Sequence, residues 1–68
     1  MVGTLIRKDD KWFVKYPDLF TKTEKIIEVD KKSLENKSLL IYWIQGEEVE
    51  FERYMIWTIE YAKIIHNN

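Results

Sequence analysis

The chain has 68 residues, 46% of them hydrophobic and 34% charged, with two glycines, one proline and no cysteine. A domain this small buries only ~60% of the surface that its unfolded form exposes, so residues 1–68 form one thin core, with no disulfide or thiolate metal site to reinforce it. Eleven basic against twelve acidic groups leave a net charge of −1, which opposes the binding of long nucleic acid by counterion release.

In chain order, Thr4 to Lys8 reads as a first strand, and Lys11 to Tyr16 (KWFVKY) as a second, rich in strand formers. The polar Asp9-Asp10 between them predicts a hairpin turning from Lys8 to Lys11. Alternation puts Trp12, Val14 and Tyr16 on one face, with Phe13 and Lys15 on the other. Pro17-Asp18 is expected to stop this strand, because proline has no N–H for a ladder. Leu19 to Glu24 follows as a loop. Lys25 to Asp30 predicts a third strand with Ile27 and Val29 facing in. Ser33 to Lys37 has the composition of one helical turn, capped by Ser33 or Asp30. Ser38 to Gln45 is a continuous apolar run that periodicity does not assign; its length and its Ile, Tyr and Trp content favour a buried strand. Gly46 is a break. After it, Val49, Phe51 and Arg53 alternate with Glu48, Glu50 and Glu52, the period of a half-buried strand with an acidic outer face. Met55 to Ile65 reads as a last strand that aligns Trp57, Ile59 and Tyr61; the alternative, a helix, would gather Met55, Ile59 and Ala62.

Five or so short strands with at most one short helix predict an all-β, or β-rich α+β, domain. Its architecture is a small five-stranded barrel, SH3-like or OB-like, or a strongly twisted antiparallel sheet. An open edge in so small a sheet would pair with a second copy and enlarge the core, so the expectation includes a homodimer or higher homo-oligomer.

The chemistry-bearing residues are few. Glu48, Glu50 and Glu52 place three carboxylates along one strand face, a solvated surface rather than a paired-acid or cation site. Asp9 and Asp10 are turn residues. His66, the single histidine, lies beside the C-terminus without partners for a triad or a zinc site. Gly3 and Gly46 stand alone, so no phosphate loop is present. These readings predict no catalytic residues, no metal, no cofactor and no enzyme. The N-terminus lacks a signal-peptide apolar region, and no stretch approaches the ~18 apolar residues of a membrane span, so a cytoplasmic protein with no membrane partner is expected. What remains is aromatic rings beside cations, among three Trp, four Tyr and three Phe. Stacking plus guanidinium or ammonium contacts suits a nucleotide. The candidates are Arg7, Lys15, Arg53 and Lys63 for phosphate, and Trp12, Tyr16, Tyr54 and Trp57 for stacking.

Three blocks of the chain, Gly3 to Tyr16, Gly46 to Glu52 (GEEVEFE) and Tyr61 to Ile65 (YAKII), resemble small uncharacterised β-rich accessory proteins of phages and other viruses. Those carry a similar GTL…W-V-Y start, a G-x-E-V-E-F-E strand and a YAK-L/I end. Their His-Pro-Asp-Asp-like middle segment has no counterpart between Val29 and Gly46. The resemblance implies a phage accessory protein in the cytoplasm of an infected cell. By analogy with small phage proteins that act as oligomeric sponges, it implies sequestration of a small anionic nucleotide immune signal, such as a cyclic dinucleotide, without catalysis. Two other classes stay open: a protein-binding inhibitor or adaptor acting by β-edge contacts, and a single-stranded nucleic-acid-binding barrel.

Overall fold

The computed structural model describes residues 1–30 and 43–65. Its strands are β1 (Val2–Lys8), β2 (Lys11–Asp18), β3 (Thr23–Val29), β4 (Glu48–Ile56) and β5 (Ile59–Ile64). They close into a barrel in the order β1-β2-β3-β5-β4. The all-β barrel expected from the sequence is therefore present, and no helix occurs among the described residues. All neighbours are antiparallel except β3 and β5, which run parallel. That pair excludes the wholly antiparallel sheet and selects the OB-like connectivity over the SH3-like one.

The β1–β2 hairpin turns where expected. Lys8 pairs with Lys11, and Asp9 and Asp10 both have positive φ, 50° and 64°, the mark of a type I′ turn whose twist matches its strands. Pro17 does not stop β2, contrary to expectation; the strand runs on through Asp18. Pro17 pairs with Glu24 on β3, whereas pairing with β1 stops at Lys15, so the proline has a ladder neighbour on one side and its missing N–H is tolerated. The expected Leu19–Glu24 loop shrinks to Leu19–Lys22, with β3 already begun at Thr23. It is tied by the Lys22 N–H to the Asp18 carbonyl at 2.8 Å.

The single strand expected over Met55 to Ile65 is corrected to a hairpin. Ile56 pairs with Ile59, and Trp57-Thr58 is the turn between them. Trp57 is therefore not aligned with Ile59 and Tyr61, and the helical alternative falls as well. The helical turn expected at Ser33–Lys37 lies outside the described residues. So does most of the strand expected at Ser38–Gln45; of its described part, Trp43 and Ile44 are in no strand and Gln45 opens the turn at Gly46.

The core follows the alternation read from the sequence. Leu5, Trp12, Val14, Tyr16, Ile27, Val29, Phe51, Ala62 and Ile64 are buried, with Trp43 and Val49 packed against them. Each fully buried Val, Leu, Ile or Phe among them contributes about 1.5–3 kcal/mol of transfer free energy. Closure comes from β1 on β4, Val2 opposite Glu50 and Thr4 opposite Glu48. Past that register the Phe51 N–H donates to the Met1 carbonyl at 2.8 Å. From Glu52 onward β4 has β5 alone as ladder partner, and β3 meets β5 only at Glu28 and Val29. The β4–β5 hairpin thus projects beyond the closed part of the barrel. Open ladder edges include this projection, β3 from Thr23 to Ile27 and β2 beyond Lys15.

Candidate functional site

Strand direction gives the barrel two unlike ends. One carries the Lys8–Lys11 turn, the Gly46 turn and the edge-to-face pair Trp12–Trp43, with ring centroids 5.4 Å apart. At the other end β2 and β4 run out, and the Leu19–Lys22 and Trp57-Thr58 turns emerge. A cavity of about 490 Å³ opens there, lined by Met1, Val2, Tyr16, Pro17, Asp18, Leu19, Phe20 and Arg53. Pockets that hold small ligands fall in this size range and combine apolar walls with a few fixed polar groups.

The polar groups are residues at inward positions of their strands, where the core gives way to solvent. The Tyr16 ring is 1% exposed and tilts against Phe51 at 5.2 Å, so its hydroxyl has one direction to point. Arg53 donates to that hydroxyl at 2.9 Å and stands 3.9 Å from the Asp18 carboxylate. The Tyr16 hydroxyl, followed by the charges of Glu60 and, least, Asp18, keeps Arg53 more firmly protonated than an ordinary arginine. Asp18 is 5% exposed. It accepts from the Lys25 ammonium at 2.9 Å and from the Phe20 N–H at 2.9 Å, and these two contacts, lysine first, hold its carboxyl below the usual aspartate range. Lys25 is raised in turn, chiefly by its bond to Asp18. The carboxylate thus anchors the Leu19–Phe20 turn, and the tyrosine fixes one edge of the guanidinium. Leu19 and Phe20 themselves are 85% and 94% exposed and form an apolar rim.

The eight residues singled out in the sequence do not converge. Tyr16 and Arg53 share a hydrogen bond, and Arg7 and Trp12 face each other across the β1–β2 ladder. Trp12 and Tyr16 are core side chains, so their rings are not open stacking surfaces. Arg7 lies at the opposite end, 3.2 Å from Asp10. Lys15 points outward and pairs with Glu24 at 2.9 Å. Tyr54, also outward, stacks on Tyr61 at 5.5 Å and donates to the Glu52 carboxylate. Lys63 is exposed opposite Glu52. Trp57 occupies the hairpin tip at 91% exposure. Asp18, Phe20 and Lys25 were missed; the available signal was an apolar Leu19-Phe20 pair in a segment read as a loop. Among the described residues no group of three or more His, Cys, Asp or Glu is placed to hold a metal ion, and no helix is long and apolar enough to cross a membrane. His66 lies outside the described residues. No protein family, curated protein or solved structure matches the chain.

Proposed function

We propose that this chain is a viral accessory protein that captures a small anionic nucleotide ligand, of the cyclic dinucleotide kind, in the barrel-end cavity and holds it without chemical change, so countering a host defence signal. The observation that carries the reading is Arg53, held against the Tyr16 hydroxyl in the wall of an open cavity rimmed by Leu19 and Phe20. A fixed guanidinium is suited to a phosphate, and Phe20 to a base face. The cation is local, so near-neutral overall charge is no obstacle. Catalysis has no part in the reading.

Calorimetric titration with a panel of cyclic and linear nucleotides tests it. Binding is expected near one ligand per cavity, weakened at least tenfold by Arg53→Met and by Phe20→Ser, with the ligand recovered intact after heat denaturation. A panel without any binder overturns the nucleotide; a chemically altered product overturns capture without catalysis. A second reading, an adaptor that takes a partner strand, is favoured by one observation: β3 from Thr23 to Ile27 lacks a β5 partner. Release of nucleotide binding from Arg53 and Phe20, with a host protein retained by β3, would favour it.

A further inference from the structure

The cavity end of the barrel is unusually apolar. Leu19, Phe20, Met55, Ile56, Trp57 and Ile59 are all exposed there, a gathering of large apolar side chains at one end of the barrel rather than single ones scattered over the surface. Three further observations say what covers it.

The first is the backbone at Trp57. Its φ is 59°, while Thr58 is not in the left-handed region, so the turn has the type II′ pattern, whose first central position favours glycine. A tryptophan there is strained, and with the ring 91% exposed no packing among the described residues offsets the strain. The second is that a protruding knob and an open hole occur on the same end. From Arg53 at the cavity wall to Trp57 is four residues of extended strand, ~13 Å of reach at ~3.3 Å per residue. Two hairpins laid side by side in opposite directions therefore bring each tip to the base of the other. The cavity at that base, about 490 Å³, is larger than an indole. Matching knob and hole on one surface is the requirement for a closed two-fold contact. The third is charge: at −1 each, two copies repel only weakly.

We infer that two copies pair end to end, with Trp57 of each protomer seated in the mouth of its partner's cavity, against Phe20 and the Arg53 guanidinium. The cavity is then completed by the partner's indole, which stacks on the guanidinium and becomes a wall for any ligand held there. The pairing does not depend on the nucleotide, so it is tested without one. Light scattering and sedimentation over a wide concentration range in nucleotide-free buffer should give twice the monomer mass. Trp57→Gly and Phe20→Asp, both at highly exposed positions, should each weaken dimerisation at least tenfold while keeping the far-ultraviolet circular dichroism of the wild type. A wild type that stays monomeric overturns the inference and leaves the patch to a different partner. A dimer unaffected by either substitution overturns the seating of Trp57, and a mass that climbs without limit overturns the two-fold closure.

Discussion

At the scale of single residues, two positions show how narrowly the thin core is made. Gly3 lies where β1 crosses closest to the interior. A methyl group there would collide with Val14 Cγ1 and stand 2.9 Å from Phe51 Cε1 and 3.0 Å from the Lys15 carbonyl. Two of those neighbours are fully buried and one is backbone, so none yields cheaply. Gly3→Ala is expected to lower stability by about 1–3 kcal/mol, read as a fall in the urea midpoint at constant slope. Asp18 is the second position. Its folded carboxyl titrates below the ordinary aspartate value of 3.8, so its contribution is complete above that value and is lost as pH falls through the lower, folded one. Lys25 acts in the opposite range: its pKa is raised above 10.5, so its contribution holds below that value and is lost as pH rises through the raised one. Asp18→Asn should therefore reduce stability at neutral pH and flatten the acid limb of the stability profile. An unchanged acid slope in the variant would place the acid sensitivity elsewhere.

At the scale of elements, the two hairpins solve the same problem with different residues. The β1–β2 turn uses Asp9 and Asp10 in the left-handed region, where aspartate is tolerated and glycine is better at the second position. Asp10→Gly removes the exposed Arg7–Asp10 pair, worth ~0–1 kcal/mol, and should still match or exceed the wild type by about 0.5 kcal/mol in denaturant titration. This turn was legible in the sequence because two short polar residues separate two apolar runs. The β4–β5 turn was not, because Trp57 and Thr58 carry no turn composition and no glycine, proline, asparagine or aspartate interrupts Met55 to Ile65. Alternation identified Val14, Tyr16, Ile27, Val29 and Phe51 as inward-facing, since each strand has one buried face. It also set Arg53 on that face, and the barrel shows why a charge belongs there: the position falls at the rim, where Tyr16 and Asp18 meet it. The site partners stayed hidden because Tyr16 and Arg53 lie 37 residues apart and meet across the interior, a relation that no local pattern carries. Proline was over-read at position 17 for the complementary reason. Whether it ends a strand depends on whether a neighbour needs its N–H, and that is a property of the sheet.

At the scale of the whole molecule, closure and projection divide the work. The barrel is sealed by first and fourth strands distant in the chain, Val2 against Glu50, whereas the hairpin that leaves the seal is built from consecutive residues. A non-local seal of this kind forms late and slowly compared with a hairpin. The same division sorts the three tryptophans. Trp12 is buried, Trp43 is half-buried against its edge, and Trp57, on the projecting tip, is exposed within a single copy. They therefore make the protein an optical instrument with two separate channels. Emission from the packed pair follows the integrity of the barrel, and the fraction lost to a water-soluble quencher follows the tip, so occupancy of the cavity end can be read by light without attaching any label.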